Sequence, residues 1–252
     1  MKKVIILSLM LLAFVSCREK KDNLIWSDEF NYQGLPDSSR WVYDTGYIAN
    51  KELQYYTERR IENANVNGGS LMLIGRKESV RNFNYTSARI KTEGRFDIKY
   101  GRIEARMKLP AGQGIWPAFW MLGVNIPEVN WPKCGEIDIM EHINNTDTIY
   151  GTAHWEDKGH VSSGGTTTGD VTIFHNYAVE WDQDSVRWLL DGKRYFGLNI
   201  KDGINNTSAF HKPFFIILNL AIGGSWPGNP DSTTVFPDTV YVDYVRVFKK
   251  SR

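Results

Sequence analysis

The chain has 252 residues, 42% hydrophobic and 13% aromatic, with a formal net charge of +1. With no Pro/Gly-rich or low-complexity linker, that length is most economically one domain, since β-sandwiches of about 200 to 250 residues commonly fold as one unit. A balance this near neutral disfavours nucleic acid or a strongly anionic polymer as the general partner, because those leave a basic patch or run.

Lys2 and Lys3 precede an apolar run from Val4 to Val15 and then Ser16-Cys17, the order of an export signal. The run is shorter than the ~20 apolar residues that span a bilayer, so residues 1–16 read as a signal and not as a transmembrane helix. A small residue directly before a cysteine resembles a bacterial lipoprotein signal. That resemblance implies lipidation of Cys17, a charged tether over 17–23, and anchoring to the outer membrane, at the cell surface or facing the periplasm. Ordinary secretion with cleavage nearby is the alternative. Only Cys134 remains as a second cysteine, so a lipidated Cys17 leaves no disulfide framework. As a nucleophile Cys134 is disfavoured, because the acids beside it oppose its thiolate.

From residue 24 to 250 no segment sustains a 3.6-residue apolar period, whereas period-two alternation recurs, as in 102–109 and 240–247. Trp116, Ala118 and Trp120 are two apart and share one face of a strand, with Pro117 and Phe119 on the other. Two indoles with a small residue between them make a stacking shelf for a sugar ring, and two core tryptophans are the competing reading. Trp131 and Trp226 lie in Pro/Gly-rich segments and are expected on loops, where exposed aromatics bind more often than they pack.

Between these lies Gly135-Glu136-Ile137-Asp138-Ile139-Met140-Glu141-His142, with three carboxylates in six positions and no Lys or Arg between them. On a regular strand Glu136 and Asp138 share a face and Glu141 points the other way. A β-bulge in which Ile139 and Met140 together oppose one partner residue restores a common face for all three. Two carboxylates flanking a glycosidic bond suffice for its hydrolysis, one as nucleophile or base and one as acid. Crowding raises one pKa, as a proton donor near neutral pH requires. His142 follows Glu141 directly and should point away, toward the core.

Further on, 185–190, Asp191-Gly192 and 193–197 read as a hairpin with a tight turn. The apolar run 213–221 reads as a strand buried on both faces. Many short strands, Gly and Asn turns and no helix-length segment predict an all-β sandwich of two packed antiparallel sheets.

The acid run resembles the active-site signature of glycoside hydrolase family 16. So do Trp26-Ser27-Asp28-Glu29-Phe30, Glu52-Leu53-Gln54-Tyr55-Tyr56, Tyr85-Thr86-Ser87-Ala88-Arg89, the segments 100–106 and 116–122, and Val242-Asp243-Tyr244-Val245-Arg246-Val247, in the same order. The extra residue before Glu141 is similar to laminarinase-like and agarase-like members. The resemblance implies a concanavalin-like jelly roll with a concave substrate cleft and a retaining endo-hydrolase. It would cut β-1,3-glucan (laminarin), mixed-linkage β-1,3/1,4-glucan, or both. It implies Glu136 as nucleophile, Glu141 as acid/base and Asp138 as the residue that tunes them. Asn50, Glu52, Arg89 and His154 would hold the glycan or organise the acids, beside Trp116, Trp120, Trp131 and Trp226, the last on a cleft-edge loop. No cofactor is needed for this chemistry, but many relatives hold a structural calcium, and Glu29, the Gly69 carbonyl and Asp243 match that site. The partners expected are a β-glucan polysaccharide or oligosaccharide and, through lipid alone, a membrane, with the chain acting as a monomer. Agarase-like hydrolysis, transglycosylation and a non-catalytic glycan-binding lectin on the same sandwich are the rivals.

Overall fold

Alternation in the sequence becomes burial in the fold. The computed structural model describes residues 23–249. The expected signal, Cys17 and all of the tether except Asn23 lie outside the described residues. In the strand Gly101–Lys108, Ile103, Ala105 and Met107 are fully buried, while Arg102, Arg106 and Lys108 remain partly exposed. The long strand Asp238–Lys249 buries Val240 and Val242, then Val245 and Val247. The switch from even to odd positions follows from a register shift between Val242 and Tyr244 against Gly101–Lys108. The predicted hairpin is Ser185–Leu190 and Lys193–Asn199. Its turn places Asp191 at φ +49° and Gly192 at φ +77°, the pair of positive φ values that matches strand twist.

Two sheets face each other. One has seven strands, in the order His160–Thr168, Thr148–Glu156, Glu136–Glu141, Ile115–Gly123, Phe214–Ile222, Arg89–Lys91, Val42–Tyr43. All nine residues of Phe214–Ile222 are buried, as a central strand covered on both faces requires. The other sheet has ten strands and includes Gly101–Lys108, Asp238–Lys249, His175–Trp181 and the hairpin. A continuous core fills the space between, with Trp188, Phe119, Met140, Ile216 and Val245 contributed from both sides. The pairing is antiparallel except between Gln54–Tyr56 and Phe83–Ser87, which run parallel. That one pair can run parallel because the connection between them is long enough to hold the Ala64–Asn67 and Ser70–Val80 hairpin, and such a crossover is what a parallel pair needs. Among the described residues helical structure is confined to one turn at Ile126–Val129 and an irregular 3₁₀ segment at Lys201–His211. Among the described residues no helix is long and apolar enough to cross a membrane.

The calcium expected at Glu29, Gly69 and Asp243 does not fit this arrangement. Both Glu29 oxygens accept hydrogen bonds from Arg246, at 2.9 and 2.7 Å. Asp243 accepts one from Arg106 at 2.7 Å. Calcium needs oxygens turned toward a common centre, and here two guanidiniums engage the carboxylates. These ion pairs tie the first strand to the last and the last to its neighbour.

Candidate active site

The strand Glu136–Glu141 lies between Ile115–Gly123 and Thr148–Glu156. Against the first, Asp138 pairs with Trp120, Met140 with Phe119 and Glu141 with Ala118, so Ile139 is the extra residue. Against the second, the register shifts between Asp138 and Glu141, which pair with Thr152 and Tyr150. Ile139 and Met140 are both buried in the core. The bulge therefore turns two successive apolar residues inward and brings Glu141 to the face that carries Glu136 and Asp138. The core Trp188 of the other sheet donates its indole N–H to the main-chain carbonyl of Asp138, 2.7 Å away, so the backbone at this irregular point has a fixed partner.

All three acids line a cleft of about 420 Å³ with Asn50, Glu52, Arg89, Trp116, Ala118, Trp120, Trp131, Asn219 and Ala221 among its other walls. Each glutamate meets an indole. Trp116 donates to Glu141 Oε1 at 3.0 Å, and Trp131 donates to Glu136 Oε2 at 3.1 Å. His154, paired in register with Glu136, places Nε2 3.1 Å from Asp138 Oδ2 and 3.9 Å from Glu136 Oε1. Burial pushes the Glu141 carboxyl up to about 8, with the Asp138 charge adding to it and Trp116 and His154 opposing. Burial likewise holds both Glu136 and Asp138 above the usual carboxylate range, and the Asp138 charge raises Glu136 further, so the two titrate as a coupled pair. This suits an acid that stays protonated near neutral pH beside a carboxylate that attacks.

The rest of the cleft floor is a hydrogen-bonded net. Trp120 donates to Asn219 Oδ1 at 2.8 Å, Asn219 reaches the Tyr56 hydroxyl at 3.3 Å, and that hydroxyl reaches Glu52 at 3.3 Å. Gln54 and Asn50 donate to the two oxygens of Glu52, at 2.7 and 3.2 Å. The Arg89 guanidinium stacks over Trp120 at 4.7 Å and pairs with Asp44 at 2.8 Å. Trp116 and Trp120 thus stand in the cleft and Phe119 in the core. Trp226 is 41% exposed and meets Trp116 and Tyr150 edge-on. Its loop is fixed by Ser225 N–H, which donates to the Asn50 carbonyl at 2.7 Å, and by Gly224 at φ +127°, where a side chain would also crowd Asn50 and Trp116.

Sequence reasoning missed Asn219, Tyr56, Gln54, Tyr150 and His160. Asn219 carried a signal: it is the one polar side chain in the run Phe214–Ile222. His142 faces away from the cleft, fully buried, with its ring nitrogens against the Thr148 and Asn144 carbonyls. Cys134 is buried and free, its thiol pushed up to about 11 by burial and by the Glu136 charge. Among the described residues Glu136, Asp138 and His154 are the one group close enough to share a metal ion, and the retaining chemistry of paired carboxylates requires none.

Residues 45–246 match the model of glycosyl hydrolases family 16. The chain belongs to that family. A β-glucanase of Rhodothermus marinus is 42% identical over 245 residues, which cover 90% of this chain and 85% of that protein. The clotting factor G alpha subunit of Tachypleus tridentatus is 43% identical over 238 residues, 92% of this chain, and the chain spans 34% of that larger protein. The solved laminarinase of Rhodothermus marinus superposes with a TM-score of 0.87 at 41% identity, covering 92% of this chain and 98% of that one. The family 16 jelly-roll sandwich expected from the motifs is thus the fold this chain adopts.

Proposed function

We propose that this family 16 hydrolase is a retaining endo-β-glucanase that cleaves β-1,3-glucan, mixed-linkage β-1,3/1,4-glucan, or both. The observation that carries the reading is the bulge at Ile139, which gathers Glu136, Asp138 and Glu141 on one face of a cleft lined by three tryptophans. The likeness to a β-glucanase and a laminarinase supports the substrate class.

Glu136 attacks the anomeric carbon as the bond to the leaving oxygen breaks, and Glu141 gives that oxygen its proton. Water, deprotonated by Glu141, then displaces Glu136 from the same carbon. Two inversions give net retention. Asp138 shares a proton with Glu136, so that the nucleophile is ionised at attack without leaving two bare charges side by side. Aromatic rings in the cleft present flat apolar faces to the C–H side of each pyranose. Proton NMR of laminarin digestion reads the first anomer directly. The β-anomer should appear first, and an initial α-anomer would exclude this assignment.

The reading extends to the N-terminus. Lys2, Lys3, the apolar run and Ser16-Cys17 support export and lipid anchoring at Cys17. Cys17→Ala should release the protein from the membrane fraction, and unchanged fractionation would exclude the anchor.

A further inference from the structure

His160 begins the edge strand His160–Thr168, where register sets it opposite Glu156 and sets Ser162 opposite His154. His160 and His154 are therefore diagonal neighbours on the cleft face, within reach of long side chains. Their rings are nearly parallel, with centroids 5.1 Å apart, and His154 Nδ1 lies 2.8 Å from His160 Nε2. On its other side the His160 ring packs 4.6 Å from Trp131, whose N–H goes to Glu136. A closed circuit results: Glu136, Trp131, His160, His154, Asp138.

We propose that His160 is a positioning residue of the hydrolase: it holds His154 in the tautomer whose Nε2–H faces Asp138, and thereby leaves the Asp138 proton free to face Glu136. The proposal rests on the functional reading above.

Two neutral arrangements satisfy the 2.8 Å contact. In one, His160 Nε2–H donates to His154 Nδ1, and His154 donates Nε2–H to Asp138. In the other, His154 donates Nδ1–H to His160 and turns a bare Nε2 lone pair on Asp138. Asp138 Oδ2 is buried without a well-aligned hydrogen bond, and Nε2 is the neighbour 3.1 Å away. In the second arrangement that contact is repulsive unless Oδ2 carries hydrogen. The one proton of Asp138 is then directed at His154 and cannot be donated to Glu136, so the nucleophile loses the hydrogen bond that would stabilise its charge. The first arrangement lets Asp138 accept from His154 and share its proton with Glu136. His160 selects it, as the outer partner of a metal-bound histidine selects the ring nitrogen that binds.

The other charges around this pair are Glu141, Glu156 opposite His160 with Lys133 at 3.4 Å from it, and Asp157 and Lys158 in the following turn. Burial and the neighbouring His154 ring hold the His160 ring below the usual histidine range.

The test compares the native enzyme with His160→Ala and His160→Gln on laminarin across pH. The Gln amide donates a hydrogen bond but does not titrate. His160→Ala should lower kcat about tenfold, the weight of one charge-assisted hydrogen bond, and move the acid limb of kcat/KM upward by about one pH unit, because the ionised pair loses a donor. KM should stay within about twofold, and His160→Gln should recover the limb and most of the rate. A raised KM with an unmoved acid limb would make His160 a sugar contact and overturn the proposal, as would a Gln variant that behaves like Ala. ¹⁵N NMR of the histidine rings decides the tautomer without substrate. Native His154 should show protonated Nε2 and bare Nδ1, the reverse would overturn the proposal, and a native protein inert toward every β-glucan would overturn the functional reading alone.

Discussion

Trp116 donates its indole N–H to Oε1 of Glu141 across 3.0 Å, and this bond opposes the burial that pushes the same carboxyl up to about 8. In the role proposed for it, the Glu141 proton donor therefore carries its own brake. Native kcat should fall on an alkaline limb near pH 8, where Glu141 loses the proton it must give. Trp116→Phe removes a donor that favours the charged form, so the limb should move upward, by up to about one unit. A pH–rate profile whose limb moves down in Trp116→Phe would contradict this account.

Glu136→Gln keeps the side chain's shape and its contact with Trp131 but removes the attacking charge. Its kcat should fall by at least about 10³-fold, in line with the loss of other nucleophiles. Calorimetric titration with a laminari-oligosaccharide should still show binding. Appreciable turnover by this variant would remove Glu136 from the mechanism.

The raised carboxyls also link folding to pH. Glu141 is protonated in the folded chain up to about pH 8 but ionises near its ordinary 4.5 when unfolded. The folded state thus binds more protons between those values, and stability is fully present below about 4.5 and declines as pH rises toward 8. Glu141→Gln should flatten that decline and raise Tm at pH 8 by about 2–4 °C, allowing for the group's partial exposure. An unchanged Tm-against-pH curve would show that Glu141 ionises normally.

Two single-residue deletions separate the bulge from the burial it provides. Without Ile139 the strand becomes regular, and all three acids keep one face. That chain should lose about 2–5 kcal/mol of stability, the cost of an emptied core position, yet still hydrolyse laminarin measurably. Without Ile137, Glu136 and Asp138 become neighbours on opposite faces, and activity should vanish from folded protein. Activity in the second chain and none in the first would overturn the register described above.

Asn219→Leu strips partners from Trp120 Nε1 and the Tyr56 hydroxyl at once. Leaving such groups unsatisfied should cost about 1–3 kcal/mol in urea unfolding and raise KM as the cleft floor loosens. A variant as stable as the native chain would show that water replaces both contacts.

Residue alternation made the strand of the three acids, the hairpin at Asp191-Gly192 and the buried run over 213–221 readable in the sequence, because period and turn chemistry are local. An extra residue at Ile139 or Met140 was legible too, since a common face for the three acids demands one, and strand pairing assigns it to Ile139. The net beneath the cleft was not. Asn219 lies 99 positions beyond Trp120, and pairing at that distance is set by how the sheet closes. His160 belongs to none of the sequence motifs, and its meaning appears only when strand pairing sets it diagonally to His154. The arginines that hold Glu29 and Asp243 escaped for the same reason, since a motif records which acids are present but not which cations reach them.

Trp188 belongs to the sheet whose strands form no wall of the cleft, yet its indole N–H grips the carbonyl of Asp138. The outer sheet is therefore part of the tooling and not packaging around it. Redesign of the hydrophobic interior for heat tolerance meets a boundary at this one ring. A Leu or Phe there could preserve volume and melting temperature and still leave the acids misaligned, so screens on stability alone would select well-folded enzymes that have lost their edge.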